Sequence, residues 1–357
     1  MLPDNASLTD ILRDDIRAKG PIPVAAFMAR AVSAYYARGT GFGAAGDFTT
    51  APEISQVFGE LVGLWAAVVW RQMGAPAPVR LIELGPGRGT LMADFLRAVT
   101  VVPDFAAAID LHLVETSPAL RILQRRALGE RVVAWHDRMA EVPDGPALVV
   151  ANEFFDALPI RQLVRAGDEW RERVVKWAGD GFVFALGDKV PDPPLAPAVH
   201  TSSQGAIAEL CPEGLALAAA LGRRLVSHGG AALIIDYGPA RSAAGDSLQA
   251  IRRHAYHPPL ERPGEADLTA HVDFQALAEA ARTEGAQAHG PVEQGDWLRQ
   301  LGLGTRVRRL LAAAPPQKGT GILRAAHRLV DPAEMGTLFK VLALTAPSLS
   351  PVPGFEA

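Results

Sequence analysis

The sequence predicts an α/β protein built on a parallel sheet. First, apolar runs of strand length alternate with helical segments between residues 79 and 236, the mark of βαβ units. Second, a glycine turn, Gly85-Pro-Gly-Arg-Gly89, joins the first run to the helix after it. Third, polar residues break out where each run ends, as in Asn152-Glu153 and Asp236-Tyr237. In open sheets that end of the strands holds the ligand.

The elements follow in order. Residues 7–19 and 23–37 have helical periodicity, and Ser7 is placed to cap the first. A glycine-rich loop, 39–46, precedes Asp47–Ser55 and a helix running to about Met73, with Phe58, Leu61, Leu64 and Trp65 on one face. Strands are expected at Val79–Leu84, Ile109–Val114, Val132–Trp135, Ala147–Ala151 and Ala231–Asp236. Helices are expected at Thr90–Val99, Pro118–Leu128 and Glu213–Ser227. Residues 160–187 alternate apolar and polar, which reads as an inserted β meander, and 187–203 are Pro-rich and loop-like. Residues 239–270 carry few periodic segments, so they are expected to form a lid or functional loop. Helices resume at Asp273–Glu284, Asp296–Leu301 and Arg306–Ala313, and Leu338–Leu344 reads as an edge strand.

The 357 residues suggest about two domains by size. The motif positions instead favour a helical cover, 1–78, and one catalytic domain, 79–357, with insertions at about 160–203 and 239–274. A net charge of −4 argues against nucleic-acid binding, which needs a basic field. The single cysteine, Cys211, excludes an internal disulfide and a multi-thiolate metal site, and no metal is expected. No apolar run approaches the roughly 20 residues of a membrane span. The first twenty residues hold four Asp and lack the features of a signal or transit peptide. Arg far exceeds Lys, with abundant Ala, which reads as GC-rich bacterial coding, and the lack of targeting features fits a cytoplasmic protein.

The glycine spacing G-x-G-x-G departs from the dinucleotide fingerprint G-x-G-x-x-G. It suits S-adenosylmethionine, whose methionine end carries no phosphate. Glu83, Gly85, Pro86, Gly87, Gly89 and Thr90 then form the donor loop. Glu115, at the end of the second strand, is placed to accept the ribose hydroxyls, and Asp137, after the third, the adenine amino group. At the fourth strand Asn152, Glu153 and the candidate catalytic Asp156 are expected to face the ligand crevice, with Phe154 and Phe155 as walls. Glu153 is the candidate to pair with a cationic acceptor, and His271 is placed to orient a carboxylate or to assist proton removal. Phe48, Thr50, Glu53, Phe154, Asp236, Tyr237 and Asp267 are expected to line an acceptor groove.

These segments, in this order, resemble the MidA-like S-adenosylmethionine-dependent methyltransferases, the family of the mitochondrial arginine methyltransferase that assists assembly of respiratory complex I. The matching stretches are 46–60, 83–92, 114–118, 152–159, 236–238, 267–274 and 335–341. The resemblance implies a Rossmann-like methyltransferase core with an N-terminal cover, β insertion and lid. It also implies a protein substrate, with symmetric dimethylation of an arginine on a complex I subunit. Protein arginine methyltransferases use two glutamates on one loop, whereas here the nearest acid after Glu153 is Asp156, and the next glutamates are Glu169 and Glu172. A donor-binding assembly factor without turnover and a small-molecule methyltransferase are the alternative readings.

Overall fold

The computed structural model describes residues 7–38, 47, 49–131, 133–349 and 351–356. The chain forms two compact units. One comprises Thr49–Phe155, Leu217–Ala240 and Phe274–Ala357; the other comprises Met1–Phe48, Asp156–Ala216 and Arg241–Asp273.

The first of these holds a seven-stranded sheet: β1 Val79–Leu84, β2 Ile109–Val114, β3 Val133–His136, β4 Ala147–Asn152, β5 Gly230–Tyr237, β6 Gln287–Glu293 and β7 Phe339–Thr345. Their spatial order is β6-β7-β5-β4-β1-β2-β3. Strands β3, β2, β1, β4 and β5 run parallel, and β7 runs antiparallel to both β5 and β6. The chain winds outward in both directions from β1 and β4, so the strand order reverses between them. That reversal opens a crevice at the carboxyl ends of β1 and β4. Strand β4 is buried throughout, because helices cover both faces of a parallel sheet.

The helices of this unit include α1 Gln56–Gln72, α2 Thr90–Ala98, α3 Pro118–Leu128, the main part of α4 Pro212–His228, α5 Phe274–Thr283, α6 Gln294–Gln300, α7 Leu303–Ala313 and α8 Pro316–Val330. Helix α1 buries Phe58, Leu61 and Trp65 in the core beside Phe95 and Phe105. Its Gly59 lies so close to α2 that a Cβ would stand 2.8 Å from the Leu91 carbonyl oxygen.

Two expectations change in this unit. The run expected as an edge strand is interior, since β7 pairs with β5 on one side and β6 on the other. The edge is β6, which the sequence hides: its seven residues include His289, Gly290 and Pro291, and the pairing is irregular between His289 and Val292. Proline lacks a ladder donor and is confined to such positions.

The other unit is antiparallel. Strands Arg161–Ala166, Glu169–Ala178 and Gly181–Val190 form the expected meander, joined by Ile22–Pro23 and Ile207–Leu210. Helices Leu8–Lys19 and Val24–Ala37 supply Leu12, Ile16, Phe27 and Met28 to its core, and Ser7 caps the first helix by accepting from the Asp10 N–H. Residues 239–270 are not structureless. Gln249–Arg252, Ala255–His257 and Asp267–Thr269 form a three-stranded sheet, too short to leave a period in the sequence. No helix among the described residues is long and apolar enough to cross a membrane.

Candidate active site

The glycine turn after β1 is built on left-handed backbone. Gly85, Gly87 and Gly89 have φ of 62°, 53° and 84°, a region open to glycine at little cost. Gly85 also has no room for a side chain: a Cβ would stand 2.7 Å from the Phe154 ring. Its N–H donates to the Val114 carbonyl at 3.0 Å, and the Gly89 N–H donates to that of Pro86 at 2.8 Å. At Gly89 a Cβ would stand 3.3 Å from Gln124 Cα, so the third glycine packs the turn against α3.

Two carboxylates stand behind this turn. Glu83 is 3% exposed, and its Oε2 has no hydrogen-bond partner among the described residues. Burial first, then the neighbouring Glu115, push its carboxyl up to about 8. Glu115 is buried at the end of β2. Its Oε1 accepts from the Ser117 N–H at 2.8 Å and its Oε2 from Gln124 Nε2 at 3.1 Å. Burial raises its pKa, and those donors together with Arg121 oppose the rise. Arg121 pairs with Asp137 at 2.6 Å, and the Asp137 side chain is largely exposed.

Gln124 escaped the sequence reading. It is fully buried, and besides Glu115 its Nε2 donates to the Gly87 carbonyl at 2.8 Å. Its Oε1 accepts from the Trp135 indole N–H at 2.8 Å. In sequence it looks like one more polar position on a helix with a solvated face. A glutamine four residues before the end of the helix that follows an acidic strand end was the only hint.

The loop after β4 holds the acceptor-side candidates of this unit. Glu153 has φ of +50°, uncommon for a residue with a side chain, and its N–H donates to the Ile235 carbonyl at 2.8 Å. Its Oε1 accepts from the Ala51 N–H at 3.0 Å and from Asn152 Nδ2 at 3.2 Å. Asn152 Oδ1 is buried without a hydrogen-bond partner among the described residues. Asp236, expected in a groove, is 0% exposed and turned to backbone. Its Oδ2 accepts from the N–H groups of Phe154 and Phe155 at 3.2 and 3.0 Å, and its Oδ1 from that of Tyr237 at 2.9 Å. The Tyr237 ring lies 5.4 Å from that of Phe339.

A strap from the N-terminal side ties both loops. Thr50 caps a short helix, Ala51–Ile54, by accepting at its carbonyl from Glu53 and Ile54. The Thr90 hydroxyl donates to Glu53 Oε1 at 2.5 Å, and Arg88 stands 3.7 Å from Glu53 Oε2. Glu53 thus holds the donor turn, while Ala51 holds Glu153.

The remaining candidates lie in the other unit or outside the described residues. Phe48 is outside them. Asp267 is buried and accepts from the Tyr36 hydroxyl at 3.0 Å. Asp156 is buried, and its carbonyl accepts from the Ala270 N–H at 2.9 Å. The His271 N–H donates to Ser247 Oγ at 2.8 Å. Glu172 is held by Arg161 in an ion pair of 2.5 Å, and Glu169 pairs with Lys189.

The β1–β4 crevice therefore offers a lone buried carboxylate for an ammonium or sulfonium, an oriented carboxylate for a diol, and a backbone turn that admits close approach. Those are the groups needed by the amino acid and ribose ends of S-adenosyl-L-methionine.

Known proteins agree with this chemistry. The model of a family of S-adenosyl-L-methionine-dependent methyltransferases matches residues 61–292. The mitochondrial protein arginine methyltransferase NDUFAF7 homolog of Drosophila melanogaster is 38% identical, over 99% of this chain and 89% of its own. The mitochondrial protein arginine methyltransferase NDUFAF7 of Mus musculus is 35% identical, over 92% and 82%. A Burkholderia thailandensis protein solved with S-adenosyl-homocysteine bound superposes with a TM-score of 0.83 at 28% identity, covering 99% of this chain and 97% of that one. Crevice, glycine turn and relatives converge: the chain belongs to the MidA-like family of Rossmann-like, S-adenosyl-L-methionine-dependent methyltransferases.

Proposed function

We propose that the chain is a protein arginine N-methyltransferase that symmetrically dimethylates an arginine on a subunit of respiratory complex I, in the bacterial cytoplasm, and so aids assembly of that complex. The arginine acceptor is supported by the relatives, which are named protein arginine methyltransferases. The complex I subunit follows from the family resemblance. The observation that carries the reading is the placement of Glu153. It is an acid set in left-handed backbone beside the donor turn and gripped by the Ala51 amide and Asn152.

Bound S-adenosyl-L-methionine supplies a methyl group on a positively charged sulfur, open to in-line attack. The protein's share is positioning and charge. Glu83 receives the donor's α-ammonium, and Glu115 accepts from its ribose hydroxyls. On the acceptor side a guanidinium keeps its proton above pH 12, so its nitrogen is a poor nucleophile. A fixed carboxylate pairs with it through parallel hydrogen bonds, localises its charge and leaves one nitrogen facing the methyl group. Glu153 does this, and its carboxylate favours loss of the nitrogen's proton as the C–N bond forms.

The test is in cells. Complex I subunits from a strain lacking this gene are compared by mass spectrometry with those of the same strain carrying wild type or Glu153→Gln. The proposal expects one symmetric dimethylarginine that is present only with wild type. Identical arginine methylation in all three strains contradicts it.

A further inference from the structure

We infer that Gln124 is a positioning residue of the donor site: its one carboxamide, oriented by the Trp135 indole N–H, fixes the Gly87 carbonyl and the Glu115 carboxylate together. The inference rests on the reading of Glu115 as the ribose acid.

The geometry is over-determined. A carboxamide has one acceptor oxygen and one donor nitrogen with two hydrogens. The Trp135 indole can only donate, so it selects the oxygen, Oε1, at 2.8 Å. That choice forces Nε2 toward the two acceptors, Gly87 O at 2.8 Å and Glu115 Oε2 at 3.1 Å. Both hydrogens of the nitrogen are used. A reversed amide would set its oxygen against two acceptors and its nitrogen against a donor. Gln124 is 0% exposed, so no water competes for these groups. Its backbone lies under Gly89, so the residue touches the donor turn at two of its three glycines.

The consequence for Glu115 is one of charge as well as position. Around its carboxylate stand Glu83 on β1, Arg121 on α3, and the amides of Thr116 and Ser117. The Glu115 N–H is fixed to the His136 carbonyl on β3, and the neighbouring Asp137 is taken by Arg121. Burial disfavours the charged form of Glu115, and Gln124 is a side-chain donor that favours it. A charged Glu115 accepts from both ribose hydroxyls, whereas a protonated one gives up part of that capacity. Gln124 therefore keeps the ribose acid aimed, favours its charged form, and holds the glycine turn in register with it.

The experiment is calorimetric binding of S-adenosyl-homocysteine as a function of pH, with folding checked by circular dichroism. The variants are Gln124→Met, Trp135→Phe, Glu115→Ala and the Gln124→Met/Glu115→Ala pair. Methionine keeps the length of glutamine and removes its hydrogen bonds. Gln124→Met is expected to weaken binding roughly ten- to hundredfold and to move the acid limb of the binding profile upward in pH. Trp135→Phe, which releases the amide but keeps the aromatic packing, moves both in the same direction by less. In the Glu115→Ala background, Gln124→Met is expected to cost far less than it does alone. In the ligand-free protein, loss of the Gln124 acceptor also changes the Trp135 emission.

The outcomes separate the inference from the reading beneath it. Glu115→Ala with wild-type affinity removes the ribose reading, and the inference with it. Glu115→Ala weakened with Gln124→Met unchanged removes the inference alone. So does a Gln124→Met loss that is equal with and without Glu115 and leaves the acid limb in place, since that is the behaviour of a merely structural residue.

Discussion

The Ala51 N–H donates to Glu153 Oε1 at 3.0 Å, joining two residues 102 apart in sequence. Ala51 opens the short helix Ala51–Ile54, where Thr50, at φ −80° and ψ 161°, is the cap. An amide in the first turn of a helix has no partner within the helix. Here it is spent on the candidate catalytic acid.

Ala51→Pro isolates that bond. Proline is tolerated at the first helical position, and the extended Thr50 suits a residue before proline. The substitution removes the N–H and sets the ring Cδ where the bond was, so the Glu153 carboxylate must also move away. Methyl transfer is expected to fall roughly tenfold, while affinity for S-adenosyl-homocysteine stays within about threefold. Steady-state kinetics and calorimetry check both; equal loss in both would place Ala51 on the donor side.

Gly85→Ala strains the donor turn twice, through its φ of 62° and through a Cβ 2.7 Å from the Phe154 ring. The ring must move or the turn must open. Donor affinity is expected to fall by at least about tenfold, the equivalent of 1.4 kcal/mol. Ultraviolet difference spectra cannot see phenylalanine well, so a crystal structure of the variant is the direct check on the ring.

Asp236→Asn places an amide N–H₂ against backbone donors that the carboxylate now satisfies. A buried donor left without an acceptor costs about 1–3 kcal/mol. Denaturant unfolding should show a loss in that range, with slower methyl transfer as the 153–155 loop loosens. An unchanged unfolding midpoint would mean that the three amides find other partners.

Glu83 sets a pH dependence. In the unfolded chain its carboxyl titrates near 4.5, and in the folded, unliganded protein near 8. Between those values the folded state holds the proton and the unfolded state does not. The contribution is therefore fully present below about 4.5 and is lost as pH rises toward 8, by at most about 1.4 kcal/mol per pH unit. Glu83→Gln should flatten that slope in thermal denaturation. Binding of the cationic donor favours the ionised acid, so it should release a proton near pH 7, seen as a buffer-dependent binding heat that Glu83→Gln removes.

The central parallel strands were legible because both their faces are buried, which leaves continuous apolar runs such as Ala147-Leu-Val-Val-Ala151. The acids at their ends were legible for the complementary reason: nothing in a strand's own packing asks for Glu83, Glu115 or Glu153. Strand β6 was not, since half-exposed residues around Gly290-Pro291 carry no alternation. Nor was the interior place of β7, which depends on a partner that the sequence hides. The partners of the site acids were beyond a reading along the chain. Ala51 acts through its backbone, Asp236 turns inward to three amides, and Gln124 works from a helix position that reads as solvated.

The account stands or falls on Glu153. The direct measurement is transfer of a labelled methyl group from S-adenosyl-L-methionine to arginine in extract from a strain lacking this gene, with purified wild type and Glu153→Gln side by side, together with calorimetric binding of S-adenosyl-homocysteine. The expected result is a loss of arginine labelling of at least about a hundredfold with donor affinity within about threefold of wild type. Labelling by Glu153→Gln at the wild-type rate, or label from wild type that appears on no arginine, contradicts it.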